Sequence, residues 1–149
     1  MKRDLLKQAA SICAQEFDFL RIEFGYSEPE VKIVGQSGFY VRYVGPVIGV
    51  EVGWRLGIDE GLYADIARLH EGKFPPEEEV HPDKPINYFS LKALEEFLGY
   101  EGELDDEALA RLPDEQTAGA MARSLRVCGE ALLRGDLSLL VSRDAVFVI

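Results

Sequence analysis

His81 stands between Glu79 and Asp83 in the run EEEVHPDKP, an imidazole with a carboxylate two residues to either side. In extended backbone alternate side chains point the same way, so these three could approach one divalent cation. Tight metal sites draw their ligands from several elements, however, and the chain has one other histidine, His70. A solvated acidic loop is the preferred reading, and no metal or other cofactor is expected. The two thiols, Cys13 and Cys128, have no His, Lys or Arg next to them in sequence that would lower a thiol pKa. Each falls on the apolar face of a predicted helix, where cysteine acts as a small buried hydrophobe. The glycine patterns that cradle phosphate, GxGxxG and GxxxxGK[ST], are absent, as is the GxSxG nucleophile turn. Paired-carboxylate chemistry cannot be read from a chain with 27 acidic residues until geometry is known.

Arginines offer two further readings. Arg42 and Arg55 lie beside Tyr40 and Trp54 on predicted strands, where they could form a polar face for recognition. The preferred reading is that their stems cover neighbouring side chains. Arg123, Arg126 and Arg134 follow one another along a predicted helix. They are expected to pair with acids from the middle of the chain rather than to bind an anion.

The acids are unevenly placed. Net charge is −11 over 149 residues, yet residues 59–115 alone carry 17 acidic and 5 basic side chains, net −12. Two runs dominate: Glu77, Glu78, Glu79, and then Glu101, Glu103, Asp105, Asp106, Glu107. Such a surface repels nucleic acid and anionic membrane, and it steers basic partners toward itself. If the runs do more than keep the protein soluble, Glu77, Glu78, Glu79, Asp105, Asp106 and Glu107 are the candidate partner-binding residues. No stretch is apolar and long enough to span a membrane, and the N-terminal segment lacks the apolar core of a signal peptide. With two cysteines, no disulfide framework is expected, and the chain reads as cytoplasmic.

The elements that must position these residues follow from periodicity. Leu5, Ala9, Cys13, Phe17, Leu20 and Phe24 recur every three or four residues, which predicts a helix over 3–24, started by Asp4 and closed by Gly25. Leu20, Ile22, Phe24 and Tyr26 also alternate as a strand would. The helix is preferred because its stripe is longer. Residues 30–56 hold β-branched and aromatic residues at period two, broken by Gly35-Gln36-Ser37-Gly38 and by Gly45-Pro46. Links this short impose antiparallel neighbours, so three strands form a meander. Residues 61–69 fit a fourth strand, although their alanines also permit a helix. Residues 70–89 contain Pro75, Pro76, Pro82 and Pro85 and predict a loop. Ser90 then caps a helix ending at Gly99, and Asp105 or Asp106 starts a short one. A longer helix over 114–134 carries Met121, Leu125, Cys128 and Leu132 on one face and stops at Gly135. Asp136 caps a turn through Leu140, and 145–149 reads as an extended tail.

The fold class is therefore α+β: an N-terminal helix, an antiparallel sheet of three or four strands, and helices that cover one sheet face, all within a single domain over 1–149. The runs FDFLRIEFGY, GFYVRYVGPVIGVEVGW, YADIARL, SLKALEEFLG and LLRGDLSLL resemble small bacterial α+β proteins, some of them immunity proteins of polymorphic toxin systems. That resemblance lies in element order and hydrophobic pattern, and it implies a non-catalytic protein whose acidic surface meets a basic protein partner. Two readings stand beside it: a small enzyme whose site is assembled only by folding, and an accessory protein without a ligand.

Overall fold

The period-two segments form one antiparallel sheet. In the computed structural model, which describes residues 2–57, 61–75 and 88–138, strands β1 (Glu30–Val34), β2 (Gly38–Val44), β3 (Ile48–Arg55), β4 (Gly61–Arg68) and β5 (Tyr88–Ser90) lie side by side in chain order. The register sets Phe39, Trp54 and Leu62 in one row, Val41, Val52 and Ala64 in the next, and Tyr43, Val50, Ile66 and Phe89 in a third. All of these are buried. They form the sheet's inner face, and burying each large side chain contributes about 1.5–3 kcal/mol. The expected meander and fourth strand are present, and β5 is a fifth strand at the end of the segment expected to be loop. Three residues between prolines and a helix cap are too few to show a period.

Helices cover that face. Helix α1 (Arg3–Glu16) packs on β2 and on α5 (Glu115–Cys128), while α3 (Leu91–Leu98) packs on β4, β5 and α5. The short helix α4 (Asp106–Ala110) lies against β4. Leu6, Ala9, Ala10 and Cys13 of α1, Leu94 of α3, and Ala118, Ala122 and Leu125 of α5 close the core. Two hydroxyls tie the layers together: Tyr43 Oη donates to the Ala14 carbonyl (3.1 Å), and Tyr26 Oη to the Leu133 carbonyl (3.0 Å).

Both long helices are shorter than expected. The predicted 3–24 helix breaks after Glu16, and a separate α2 spans Phe19–Phe24. Across the break, Asp18 N–H bonds the Gln15 carbonyl and Leu20 N–H bonds the Phe17 carbonyl, tighter i→i+3 turns that leave both Phe17 and Leu20 buried. The buried stripe begins at Leu6, while Leu5 is 45% exposed. Asp4 does not cap α1: the N-cap is Lys2, and Asp4 sits in the first turn, where its charge favours the helix dipole. Gly25 closes α2 in the left-handed conformation, φ 72°, as expected. The predicted 114–134 helix divides at Gly129 into α5 and α6 (Glu130–Leu133). A Cβ at Gly129 would lie 2.8 Å from the Leu125 carbonyl oxygen, so this close turn requires glycine.

Ser90 and Asp105 cap as predicted. Ser90 Oγ accepts the Ala93 amide (3.1 Å), and Asp105 Oδ1 accepts the Ala108 amide (2.8 Å). Asp114 opens α5 with a reciprocal pair: its Oδ1 accepts the Thr117 amide (2.9 Å), and Thr117 Oγ1 accepts the Asp114 amide (3.0 Å). The expected turn through Leu140 and the tail at 145–149 lie outside the described residues.

Two measurable consequences follow from this packing. Cys13 has no exposed surface, and burial pushes its thiol up to about 12. Cys13→Ser places a hydroxyl there without a water partner and should cost about 1–3 kcal/mol in urea denaturation. A change near zero would mean that α1 is not packed as described. The Thr117 amide holds the Asp114 carboxyl below its ordinary range. With the native pKa depressed, that stabilisation is complete above the unfolded value of about 3.9 and is lost as pH falls through the native one. Asp114→Asn keeps the cap without the charge, so its melting temperature should fall less steeply than the parent's between about pH 5 and pH 2. Parallel curves would show that the cap has no linkage to pH.

Candidate functional site

The outer face of the sheet holds the arginines that the sequence singled out. Tyr40, Gly53 and Tyr63 form one row there, and Arg42, Glu51, Asp65 and Ser90 form the next. Alternation predicts that Glu51 faces water, yet the residue is only 3% exposed. The glycines on either side explain the burial. Tyr63 lies over Gly53, where a Cβ would be 2.5 Å from its Oη, and Phe74 lies over Gly49, where a Cβ would be 2.6 Å from its ring. Roofed by two rings, Glu51 needs compensation. Arg42 Nε donates to its Oε1 at 2.6 Å, and Tyr63 Oη donates to its Oε2 at 2.9 Å. The Arg42 guanidinium is itself stacked between the Tyr40 and Phe74 rings, 4.5 and 4.7 Å from their centroids. Arg55 stacks on Tyr63 at 4.3 Å. Arg42 is thus partly buried in a network satisfied within the molecule, and Arg55 alone is an exposed residue covering a neighbour, as expected of both.

A cleft of about 900 Å³ opens on the other side of the sheet's edge, between β4, α3, α4 and α5. Its floor is apolar: Leu62 and Ala64 of β4, Leu91 of α3 and Ala120 of α5 are buried, and Leu104, Leu109 and Met121 are partly buried around them. Glu95, Glu96, Glu103 and Asp106 set four carboxylates about this floor against one ammonium, Lys92. Helix geometry places two of them, because a stripe of Leu91, Leu94 and Leu98 along α3 leaves Glu95 and Glu96 at its flank. Ser124 Oγ of α5 donates to Glu95 Oε2, and Gly102 passes close enough that a Cβ would lie 2.7 Å from the same oxygen. Arg123 grips Glu103 through two bonds of 3.0 and 3.1 Å and holds its carboxyl below the usual range. Glu96 and Asp106 are exposed, and Lys92 reaches Asp106 only at 3.9 Å. Such spacing on the surface leaves Asp106 available to an incoming cation.

The candidate residues divide accordingly. Asp106 lines the cleft and Glu107 is exposed beside it on α4, whereas Asp105 is committed to capping that helix. Glu77, Glu78 and Glu79, with His81, lie outside the described residues. Glu95 and Glu96 were not anticipated. They sit in a helix whose apolar stripe is plain, but which flank of that helix borders a cleft depends on the α3–α5 packing. Of the three arginines expected to pair with the middle of the chain, Arg123 does so through Glu103, while Arg126 pairs with Glu23 and Arg134 with Glu130. Arg126 also stacks on Phe19 at 5.0 Å and so neutralises a second, open groove of about 480 Å³ between α1, α2 and α5.

No protein-family model, curated protein or solved structure matches this chain.

The outer-face network yields its own prediction. Glu51→Ala strands the Arg42 guanidinium between two rings and should cost about 2–4 kcal/mol, somewhat less than for a fully buried pair because Arg42 retains solvent contact. Tyr63→Phe, which leaves one carboxylate oxygen without its donor, should cost about 1–3 kcal/mol. Chemical denaturation of both variants checks the order: Tyr63→Phe costing more than Glu51→Ala would contradict the network.

Proposed function

We propose that this protein is a non-catalytic binding protein of the immunity type, and that the cleft between β4, α3, α4 and α5 receives a basic segment of a partner protein. The observation that carries the reading is the pairing of an apolar floor with four carboxylates and one ammonium around it. An apolar floor supplies affinity by excluding water, and the surrounding carboxylates select the sign of the partner's charge and raise its rate of encounter. The net −12 of residues 59–115 extends the same field beyond the cleft. Nucleic acid does not fit this reading, because no basic patch is available to displace counterions from phosphate. Among the described residues no helix is long and apolar enough to cross a membrane. The proposal places the protein in the cytoplasm, where the free thiols Cys13 and Cys128 would stay reduced.

Stopped-flow association with a fluorescent, amidated lysine-rich peptide tests the cleft. The on-rate should fall steeply as salt shortens the Debye length from about 30 Å at 0.01 M to about 8 Å at physiological strength. Glu96→Gln with Asp106→Asn should lower it several-fold, whereas Glu28→Gln with Glu30→Gln, an equal loss of charge elsewhere, should change it much less. Equal effects of the two pairs would overturn the assignment to the cleft. The immunity reading is checked by co-expression with a toxin domain encoded next to this chain, which should restore growth; arrest regardless of co-expression would reject it.

A further inference from the structure

The edge of β4 is covered along part of its length. Strand β5 pairs with Asp65, Ile66 and Ala67 through Ser90, Phe89 and Tyr88. Continued in the same register, Ala64 would face Leu91 and Tyr63 would face Lys92, but both of those residues already belong to the first turn of α3. The Ser90 cap turns the chain out of the sheet at that point. Among the described residues, no hydrogen bond outside the ladder with β3 involves the backbone of Leu62, Tyr63 or Ala64. Antiparallel strands alternate their hydrogen-bonding groups between two edges, so this stretch presents backbone donors and acceptors on the side away from β3. The same three residues line the cleft. At the Gly61 end the edge is closed by α4, since a Cβ on Gly61 would lie 2.4 Å from the Leu109 carbonyl oxygen.

We propose that Leu62–Ala64 accepts an extended segment of the basic partner as an added strand, continuing the sheet where β5 leaves off. The inference rests on the reading of the cleft as a site for a basic partner, and it adds the conformation and pattern of what binds. A strand seated there sends alternate side chains to opposite sides. Aliphatic side chains at every second position can reach the floor formed by Leu91, Leu109 and Met121. Lysine or arginine at the intervening positions meets the carboxylates of Glu96 and Asp106. The recognised segment is therefore short and extended, alternating aliphatic with basic residues. Its main-chain bonds to β4 provide affinity, and the two sets of side chains provide specificity.

Peptides modified on the backbone test the added strand. The probe is a short amidated peptide of alternating lysine and valine, compared with two versions N-methylated on either the lysine or the valine amides. Alternate amides of a strand point to the same edge, so one methylated peptide should lose about tenfold or more in affinity while the other binds like the parent. Met121→Lys, which brings a cation to the floor, should weaken the parent peptide about tenfold as well. Equal affinity of all three peptides would overturn strand addition and leave charge-driven binding in the cleft standing. Equal weakening of both methylated peptides would also overturn it, because an edge strand uses one set of amides. A one-sided loss with undiminished affinity in Met121→Lys would place the strand elsewhere and overturn the proposal. Failure of the parent peptide to bind at low salt would overturn this proposal and the basic-partner reading together.

Discussion

Strand β3 is buried on both faces, and the rest of the molecule is arranged around that constraint. Its inner residues, Ile48, Val50, Val52 and Trp54, need a helical layer above them. Its outer residues, Gly49, Glu51 and Gly53, are roofed by Phe74 and Tyr63, which leaves a carboxylate where water cannot reach it. A buried carboxylate is tolerated only when charge and hydrogen bonds replace its lost hydration. Arg42, directly opposite on β2, provides the charge, and Tyr63 on β4 provides the second bond. The network thereby joins three neighbouring strands. It also disfavours any shift in their alignment, because a one-residue slip would put Glu51 on the apolar inner face.

Covering β3 from both sides has consequences at the sheet's margin. The helices that roof the inner face must leave and rejoin the sheet, and α3 does so after only three residues of β5. Helix α5 crosses above and packs against both α1 and α3. Between α3, α4 and α5 the layer does not close, so the apolar side chains of β4 at that end remain accessible from a cleft. The cleft is thus a product of where one strand stops and one helix begins, and its chemistry comes from whichever residues happen to surround the gap.

Charge acts at two distances here. Within hydrogen-bonding range it is largely consumed: Glu51 by Arg42, Glu103 by Arg123 and Glu23 by Arg126. Exposed pairs of this kind add little stability, since solvent screens them and long side chains must be held in place. At longer range the acidic excess of residues 59–115 is not neutralised by nearby arginines, and it sets the field that a partner meets first.

Much of the architecture is legible from residue order because it depends on local chemistry. Period-two patterning across residues 30–68, short glycine-containing links, and caps at Ser90, Asp105 and Asp114 are each decided within a few residues, and all appear in the structure. Features that depend on neighbours far along the chain are not legible. The break after Glu16 and the division at Gly129 keep helix turns against a core whose shape is set by the sheet. Glu51 looks like an outward-facing strand residue until Tyr63 and Phe74 are placed over the glycines beside it. The acidic excess was visible as a sum over residues 59–115, but its use was not. Asp105 is spent on a helix cap and Glu103 on a salt bridge, while Glu96 and Asp106 remain exposed at the cleft. Composition counts charges wherever they lie along the chain, whereas a site depends on which of them share a surface with an apolar floor, and packing alone brings those together.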